Sequence, residues 1–561
     1  MQPWFEECPE RLVYELQALS AAGYSYTLDD AKKAAGIIEI TVQFPLNGDL
    51  HPLKALFPDS YPYLPMSILG STLPPGRHIC PNTGSLCLLQ NPHSTWSIKD
   101  TLAGMLNNQV NDIIRAHLDP TNAVEAQDGV QRSGQYFYTP ESVIMTSDWT
   151  IPKEHPYGTL IIGLESKFEP DKPVRGAVIE VQDSKGNPLA QLDNRISQRY
   201  GVRIRGRWVR LAAPPDGRED GPGPLADGVK VANSLSIPKL DGGVDVVGLL
   251  FPEESSRGVM VENWLFTIRT INKDKSKQNY SLTRTDCLDQ GNMMARVASL
   301  TPLSSKKVLI VGLGSVGSMI AWQLARAGIG QLNLIDHDFV QVGNLPRWLL
   351  GLPYVGRGKA SSIGEFMSLS YPYTLTRYVD YKLGAPRQNA EHVGDGKILE
   401  TVMQDVDLVI DATAEWGVSH MLSDICQSQG IAYIWATGTP GSRGGVVGRV
   451  VPGKTKGCWK CFQHHQSAGS IITPVQDDLP EIQPKGCFHP TFTGTGFDMD
   501  EVSLSAARLA ASTLCNGQSD AYPALGWDVG IVNLWDGQGK PIAPAWTTYD
   551  LAQHPECGAH D

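Results

Sequence analysis

Residues 307–317 read KVLIVGLGSVG, and the architecture of the C-terminal half of the chain follows from them. The apolar run over 307–311 predicts a short buried strand. Gly312, Gly314 and Gly317 come directly after it with the spacing GxGxxG. Glycines at this spacing permit a tight turn and let a phosphate approach the backbone N–H groups at the start of a helix. The stretch therefore predicts a nucleotide-binding turn, although glycines that serve turn geometry alone remain an alternative.

The residues after the turn complete a βαβ pattern. A helical run over 319–327 leads to a second apolar strand over 332–335, which ends at Asp336. An acid about 20 residues beyond the last glycine is placed to bind a ribose hydroxyl. Strand and helix signals keep alternating to about residue 440, which predicts a parallel α/β sheet.

Polar residues farther along the chain indicate which of two kinds of nucleotide the turn binds. Asn344, Arg347 and Lys359 follow the second strand. A dinucleotide dehydrogenase has no need of cations there, because NAD carries only two phosphates. A triphosphate that loses pyrophosphate does need them, since Arg and Lys neutralise the charge on the leaving group. Together the residues favour ATP over a nicotinamide or flavin cofactor, although either cation alone could be a solvated surface charge.

Length and composition indicate how the rest of the chain divides into domains. At about 100–200 residues per domain, 561 residues predict three to five domains. We place the boundaries at 1–145, 146–300 and 301–561. The first segment mixes helix and strand signals, and the second has strand signals and no chemical motif.

Charge and the cysteine count narrow the function classes. Asp and Glu outnumber Lys and Arg by 59 to 47, which makes a broad nucleic-acid-binding surface unexpected. No apolar run approaches 18 residues, and the N-terminus does not resemble a signal peptide, so we expect a cytoplasmic protein without a membrane partner. The ten cysteines are then expected to be ligands, nucleophiles or core residues rather than disulfide partners.

Two cysteine pairs of different kinds predict a metal site. Cys458 and Cys461 form a CxxC, and Cys557 and His560 form a CxxH far downstream. Three thiolates and one imidazole make a tetrahedral Zn²⁺ set. A redox dithiol and unliganded cysteines are the alternatives.

The stretch from Gly312 to Lys359 resembles the ubiquitin-activating E1 superfamily, which includes the ThiF/MoeB-type bacterial adenylyltransferases that activate small sulfur-carrier proteins. The resemblance implies a Rossmann-like adenylation domain that binds ATP, with a structural Zn²⁺ and a homodimeric assembly. It also implies that the glycine loop and Asp336 hold the nucleotide. Asn344, Arg347 and Lys359 would then contact it.

The same resemblance implies Mg²⁺, bound by an acid just beyond the next strand. Residues 407–415 read DLVIDATAE in that region. The family pattern places the metal-binding acid three residues after Asp411, where this chain has Ala414. Asp411 and Glu415 are therefore the two candidates for the magnesium ligand.

Cys487 stands apart from the metal set, in the sequence GCFHPTFTGTG over 486–496. Glycines around it indicate an exposed loop. E1-like enzymes carry in this region the cysteine that takes the acyl group from AMP, so the resemblance implies Cys487 as a nucleophile. A zinc ligand or an inert thiol remains an alternative, and one of the CxxC cysteines could be the nucleophile instead.

The N-terminal segment resembles ubiquitin-conjugating E2 enzymes over about 1–145. The motifs are FPDSYPYLP over 57–65, CPNTGSLCLL over 80–89 and a following Trp. Cys87 matches the E2 active cysteine, and Asn82 matches the asparagine that steadies the loop and the oxyanion. Asn82 is one residue closer to the cysteine than usual, and a cysteine stands where the family has histidine. On composition alone, Cys87 between leucines would be a core residue.

The order of these segments resembles the bacterial E2–E1 fusion proteins of CBASS-type anti-phage operons. The expected fold is a multidomain α/β protein with an N-terminal α+β E2-like (UBC) domain and a C-terminal Rossmann-like adenylation domain. The middle segment would be a linker or an inactive adenylation-like α/β domain. The implied partners are a protein with a flexible C-terminal tail, either a cGAS-like nucleotidyltransferase or a ubiquitin-like protein, and an acceptor lysine. The alternative is a sulfur-carrier adenylyltransferase with a non-catalytic N-terminal module.

Overall fold

A computed structural model of the chain describes most of its residues. They are 3–46, 48–70, 73, 79–80, 84–86, 96–113, 141–146, 149–169, 172–213, 244–256, 259–271, 278–387, 389, 392–474, 482 and 493–560. The chain divides into two compact units, Met1–Asp289 and Gln290–Asp561. In the described part of the chain, no helix has the length and apolarity needed to cross a bilayer.

The first unit begins with helices around a four-stranded antiparallel meander. The helices are α1 (Trp4–Glu7), α2 (Pro9–Ala21), α3 (Asp30–Ala34) and α4 (Leu102–Met105), the last continuing as a π-helix over Leu106–Val110. The strands, in sheet order, are β1 (Ser25–Leu28), β2 (Glu39–Leu46), β3 (Asp49–Leu56) and β4 (Ser67–Leu69). The sequence pattern predicts a helix over 9–16, which α2 contains, and a strand over 37–42, within which β2 begins at Glu39. The pattern over 102–118 also predicts a helix, and its described residues, 102–113, are helical.

A buried carboxylate holds this part of the chain together. The Glu15 side chain lies on α2 and is buried, and its Oε2 accepts a hydrogen bond of 2.9 Å from the backbone N–H of Leu102 at the start of α4. Its Oε1 accepts from Arg11 at 2.7 Å and from the Tyr61 hydroxyl. Burial raises the pKa of Glu15. One side chain thereby connects α2, α4 and the Tyr61 turn.

The middle of the chain forms a closed sheet. Its strands are β5 (Ser142–Met145), β6 (Tyr157–Leu164), β7 (Arg175–Gln182), β8 (Pro188–Gln191), β9 (Val202–Arg210), β10 (Val244–Ser256), β11 (Val259–Ile271) and β12 (Gln278–Cys287). They run in the order β5-β12-β11-β10-β9-β6-β7-β8, and β5 also pairs with β7, which closes the ring. Apolar side chains such as Leu160, Val178, Trp208 and Phe266 fill one core.

The strand signals of this segment are confirmed, but the expectation of an adenylation-like α/β domain is wrong. Within the described residues between β5 and the end of β12, there is a single four-residue helix, α5 (Asn194–Ser197). Most neighbouring strands are antiparallel, and β10 and β11 form a hairpin over 13 residues each. Hairpins do not build the parallel βαβ layers that a nucleotide-binding α/β fold requires.

The second unit is built on one eight-stranded sheet. Its strands are β13 (Lys307–Val311), β14 (Gln331–Asp336), β15 (Leu375–Asp380), β16 (Leu408–Asp411), β17 (Ala432–Gly438), β18 (Gly444–Val450), β19 (Val529–Trp535) and β20 (Pro541–Tyr549). The order is β15-β14-β13-β16-β17-β18-β19-β20. The first five strands are parallel and the rest are antiparallel. This arrangement is the Rossmann-like α/β sheet that the alternation of signals predicts.

Helices cover both faces of this sheet. They are α6 (Gln290–Met294), α7 (Ser315–Arg326), α8 (Lys359–Ser370), α9 (Asp395–Val402), α10 (Trp416–Gln429), α11 (Trp459–Ser467) and α12 (Gly496–Cys515), with a 3-10 segment over Ala295–Ser305. Alternate residues of β13 enter different cores: Val308 and Ile310 pack with α7, α8 and α12, whereas Leu309 and Val311 pack with α9, α10 and α11. A strand buried on both faces explains why 307–311 is apolar throughout.

The chain order of the strands creates a crevice. β13 and β16 are neighbours, and the connection from the carboxyl end of β13 leads to β14 on one side, whereas that from β16 leads to β17 on the other. Ligands of open α/β sheets bind outside the strand ends at such a point. The glycine turn predicted from the sequence lies there.

Candidate functional site

The three glycines of the turn have separate steric roles. Gly312 has φ +84°, and a Cβ there would lie 2.8 Å from the backbone of Ala412. A Cβ on Gly317 would lie 1.9 Å from the carbonyl oxygen of Gly312, so helix α7 packs this closely only with glycine. A Cβ on Gly314 would meet nothing within 4 Å, because this residue faces open space at the N-terminus of α7. The turn is thus open to a ligand at Gly314, whereas at Gly312 and Gly317 it packs tightly against neighbouring backbone.

Asp336 connects the glycine turn to the end of β14. Its Oδ2 accepts a hydrogen bond of 2.6 Å from the backbone N–H of Leu313, and its Oδ1 accepts one of 2.8 Å from that of Asp338. The residue is 8 % exposed. Each oxygen retains a lone pair, so the carboxylate holds the turn in place and can still accept from a ribose hydroxyl.

Lys359 reaches the crevice from the first turn of α8. Its Nζ lies 2.9 Å from Oδ2 of Asp338, and its backbone N–H donates to the Asp338 carbonyl at 2.8 Å. The residue is 8 % exposed. A lysine buried to this extent needs a paired charge, and Asp338 supplies it. The ammonium group is therefore held at a fixed position beside the turn.

Two adjoining cavities lie over the turn. One has a volume of about 200 Å³ and the other about 320 Å³. Gly314, Lys359, Ala412 and Thr413 line both. The larger cavity also contains Asp336 at its wall. The smaller one extends along the ends of β17 and α12, where Thr437 and Met499 lie.

Asn344 and Arg347 line the smaller cavity, as does Trp348. Oδ1 of Asn344 accepts from the backbone N–H of Gln341 at 2.9 Å, which closes a capping box around a 3-10 turn over Val342–Asn344. Trp348 donates from Nε1 to the Leu313 carbonyl at 2.7 Å and so fixes the glycine turn from the other side. The structure therefore brings Asn344, Arg347 and Lys359 to the crevice together with the glycine turn and Asp336.

Asp411 lies at the end of β16 but points away from both cavities. Its Oδ1 accepts from the backbone N–H and the hydroxyl of Thr413, at 2.9 and 2.7 Å. Its Oδ2 accepts from Ser419 at 2.6 Å and from the Tyr433 hydroxyl at 2.9 Å. The residue is 2 % exposed. Of the two acids considered for Mg²⁺, only the exposed Glu415 lines a cavity.

The buried Asp411 carboxylate affects its neighbours. Burial raises the pKa of Tyr433 well above its ordinary value, and the Asp411 charge raises it further. Burial, with a smaller contribution from Asp411, raises the pKa of Cys426 to about 12. Both neighbours therefore stay protonated at neutral pH, and Tyr433 remains a hydrogen-bond donor to Asp411.

The predicted zinc ligands converge. Cys458 is the N-cap of α11 and Cys461 lies in its first turn. Their sulfurs are 3.8 Å apart, Cys458 Sγ is 3.7 Å from Cys557 Sγ, and Cys461 Sγ is 3.2 Å from His560 Nε2. With Zn–S bonds of about 2.3 Å, a tetrahedron separates two sulfurs by about 3.8 Å. The donor set and its spacing therefore fit a tetrahedral Zn²⁺.

Burial raises the pKa of the Cys458 thiol to about 12. Without a cation this sulfur is protonated at neutral pH, whereas a bound metal ion holds it as thiolate. All described cysteines are free of disulfides, which agrees with the distances in this cluster.

The proposed thioester residues Cys87, Asn82 and Cys487 lie outside the described residues. The chain on either side of Cys87 is described in part. Leu86 is buried and its backbone N–H donates to the Ile68 carbonyl on β4 at 2.9 Å. Trp96 donates from Nε1 to the Pro62 carbonyl at 2.7 Å. The chain is therefore anchored directly before Cys87 and again at Trp96.

Sequence reasoning missed three residues of the crevice. Asp338 pairs with Lys359, Trp348 holds the glycine turn, and Thr413 lines both cavities. The DHD sequence over 336–338 is a signal for the first, because alternate residues after a strand can reach the same crevice. Nothing in the sequence points to the other two.

Comparisons with known proteins match the part of the chain that forms the crevice. The ThiF family model matches residues 291–505, which include the turn, Asp336 and Lys359. "ATP-dependent ubiquitin transferase-like protein Cap2" of Enterobacter hormaechei is 26 % identical over 41 % of this chain and 36 % of its own length. "Probable adenylyltransferase/sulfurtransferase MoeZ" of Mycobacterium tuberculosis is 27 % identical over 24 % of this chain and 32 % of its own length.

Similarity to other relatives extends over nearly the whole chain. "Uncharacterized protein y4qC" of Sinorhizobium fredii is 30 % identical over 98 % of this chain and 96 % of its own length. The match therefore includes the closed middle sheet and the N-terminal meander as well as the crevice. The chain belongs to the same full-length protein family as y4qC, and its C-terminal half is a ThiF/MoeB-type, E1-like adenylation domain.

Proposed function

We propose that the chain activates the C-terminal carboxylate of a protein tail with ATP and transfers the acyl group through two cysteines to an amine. The crevice supports the first step: a glycine turn at a helix N-terminus, a ribose-binding acid and two cations border adjoining cavities. The larger cavity, with Asp336, would hold the nucleoside, and the smaller would hold the tail. Their shared wall at Gly314 and Lys359 is where the α-phosphate would lie.

In the first step a tail carboxylate oxygen attacks the α-phosphorus of ATP, and pyrophosphate leaves. The products are an acyl-adenylate and pyrophosphate. Lys359 and Arg347 would stabilise the charge that builds up on the phosphates. Asp338 holds the Lys359 ammonium in position, so little reorganisation accompanies the reaction. We assign Mg²⁺ to Glu415, since its carboxylate lines the nucleoside cavity; bound there, the ion would offset phosphate charge.

The later steps move the acyl group onto sulfur. The Cys487 thiolate attacks the acyl carbonyl and AMP leaves, giving a thioester. The Cys87 thiolate then displaces Cys487 and takes the acyl group. A lysine amine attacks this second thioester, an amide forms and the Cys87 thiol is released. Asn82 would steady the oxyanion of that last step.

The assignment of the first 145 residues as E2-like has separate support. The motif residues 57–65 and Trp96 are joined by the hydrogen bond to Pro62, and Leu86 is fixed on β4. These contacts hold the ends of the segment that carries Cys87. The E1-like half and an E2-like half on one chain would perform consecutive steps of one reaction.

The partners follow from the resemblance to CBASS-type fusion proteins. The tail would belong to a cGAS-like nucleotidyltransferase or a ubiquitin-like protein, and the acceptor would be a protein lysine. Activity would take place in the cytoplasm, in anti-phage defence, with the chain as a homodimer. The relative Cap2 is described as an ATP-dependent ubiquitin transferase-like protein, which supports this direction.

ATP–pyrophosphate exchange tests the first step. The probes are a ubiquitin-like protein ending in Gly-Gly and a cGAS-like nucleotidyltransferase. Each is used with and without its last residues. We expect exchange with one intact tail only, and no reduction of NAD or flavin. Dehydrogenase activity in the absence of exchange with either probe would contradict the proposal.

The sulfur-carrier alternative also begins with adenylation, and the similarity to MoeZ favours it. In that case Cys487 would carry a persulfide and Cys87 would have no role. Mass spectrometry of the chain after incubation with ATP, the productive tail and a sulfane-sulfur donor separates the two. A thioester that is cleaved by DTT at Cys87 supports conjugation, and a persulfide at Cys487 supports sulfur transfer.

We also propose that Cys458, Cys461, Cys557 and His560 bind a structural Zn²⁺. The ion would join the start of α11 to the C-terminal residues, which are 99 positions apart in sequence. Metal analysis of reduced protein should find one tightly held zinc per chain. Cys461→Ser should lose that zinc and lower the melting temperature, because the ion contributes its binding energy to the fold. Zinc retained in Cys461→Ser would contradict this ligand set.

A further inference from the structure

A second group of ligand-type side chains lies beside the Cys3His cluster. His464 is in the last turn of α11, and His554 and Glu556 come from the C-terminal segment. One ligand atom from each of these residues lies within 4.8 Å of the other two. None of the three belongs to the adenylation crevice or to the four proposed zinc ligands.

The backbone that carries these side chains is held firmly. The backbone N–H of His554 donates to Cys461 Sγ at 3.3 Å, and that of Cys557 donates to the His554 carbonyl at 3.0 Å. His465 reaches the same segment through Nε2, which lies 3.0 Å from the Ala552 carbonyl oxygen. The two sides of the group are therefore positioned without any help from an ion.

The two imidazoles lie close together and are oriented alike. Their centroids are 5.0 Å apart and their planes differ by 12°. Nδ1 of His554 accepts a 3.2 Å hydrogen bond from the backbone N–H of Glu556, which an ion bound at this nitrogen would replace. Nδ1 of His464 is 3.9 Å from Oε2 of Glu556, beyond hydrogen-bond distance. The neighbouring His465 differs, because Ser470 and Ala552 already occupy both its nitrogens.

We propose that His464, His554 and Glu556 bind a second divalent transition-metal ion of the Zn²⁺ class. Two imidazoles, one carboxylate and a water make a four-coordinate set that suits zinc or its neighbours in the first transition row. Bonds of about 2.0–2.1 Å to such an ion require the donor atoms to approach to about 3.3 Å. The Glu556 side chain is 79 % exposed, so it is free to close that gap.

The chemistry distinguishes this site from its neighbour. The Cys3His cluster is buried and rich in sulfur, whereas this group is partly exposed and contains only nitrogen and oxygen donors. We expect it to bind more weakly, to exchange its ion with solvent and to tie the end of α11 to residues 554–556. The inference does not depend on the conjugation proposal.

Cobalt titration of the reduced, full-length protein tests the site. Cobalt bound by thiolates gives a near-ultraviolet charge-transfer band, and cobalt on nitrogen and oxygen donors gives only visible d–d bands. We expect two equivalents per chain, the second without a charge-transfer increment. His464→Ala and Glu556→Gln should each weaken the second equivalent by at least about tenfold, since even indirect supports of a ligand are worth 10–100-fold.

His465→Ala is the matched control, because it removes an adjacent imidazole that offers no free nitrogen. It should leave the second equivalent in place, and the charge-transfer band of the first should persist in all three variants as a check on folding. Three results would overturn the proposal: a single equivalent in the unmodified protein, an unchanged second equivalent in His464→Ala and Glu556→Gln, or its loss only in His465→Ala.

Discussion

Lys359→Ala should lower the rate of ATP–pyrophosphate exchange by about 10²–10³-fold, the usual cost of removing one fixed charge donor from a developing anion. The side chain lies in the wall that the two cavities share, and it is the counter-charge of Asp338. Its removal takes a cation both from the triphosphate and from the Asp338 carboxylate beside it. Both effects raise the energy of the same transition state. Calorimetry with the non-hydrolysable analogue AMPCPP measures the loss of triphosphate affinity separately, without any tail substrate.

Lys397→Ala is the matched control. Lys397 lies in α9 of the same unit, its side chain is 70 % exposed, and it pairs with Glu400 on the surface at 2.8 Å. An exposed pair of this kind contributes little to stability, so exchange and AMPCPP binding should not change. Equal exchange rates in Lys359→Ala and Lys397→Ala would contradict the assignment of Lys359 to the triphosphate site.

The nucleotide-binding half was predictable because its signals are local. The apolar strand, the three glycines and the acid all lie within 307–336, and each depends only on neighbouring residues or on one helix turn. The strand predicted over 307–311 has the observed bounds of β13, and the second strand differs by one residue at each end. The helix begins earlier than predicted, at Ser315, because Gly314 is its N-cap.

The middle segment shows which features of a fold local sequence signals do not determine. The strand signals over 159–164 and 264–268 predict two strands, and these stretches lie in β6 and β11. The sequence pattern does not specify which strands pair or in which direction, and those choices separate a closed, mostly antiparallel sheet from an open parallel α/β sheet. The assignment as α/β came from the order of domains in similar proteins, and the pairing of β5 with both β7 and β12 overrules it.

The orientation of side chains in the site could not be predicted from the sequence either. Spacing brings Asp411 to the end of β16, next to the crevice, but its carboxylate turns toward the donors Ser419 and Tyr433. Those donors come from α10 and β17, so their position depends on tertiary packing. The Cys3His cluster is the opposite case: its members are far apart in sequence, yet the demand of one ion for four donors made the set recognisable.

Cys87→Ala should abolish transfer of the tail to an acceptor amine while adenylation continues at the normal rate. The two activities separate because the mutated thiol would act only after the acyl-adenylate has formed. Alanine offers no nucleophile, so the acyl group would stop on the first cysteine, and a DTT-sensitive adduct should accumulate there. Pyrophosphate exchange measures the first step, and a gel shift of the tail protein with and without DTT measures the thioesters and the final amide.

Cys8→Ala is the control in the same unit. Cys8 is exposed, and its thiol donates to Glu10 at 3.0 Å, a contact that raises the pKa of the thiol and disfavours a thiolate. Its removal should leave conjugation unchanged, which would show that a general loss of surface thiols is not the cause. Conjugate formation at the unmodified rate in Cys87→Ala would refute the E2 assignment, whereas the adenylation domain would keep its own support from the crevice. Loss of exchange in Cys87→Ala would instead place this cysteine in the first step, contrary to the order of thioesters proposed.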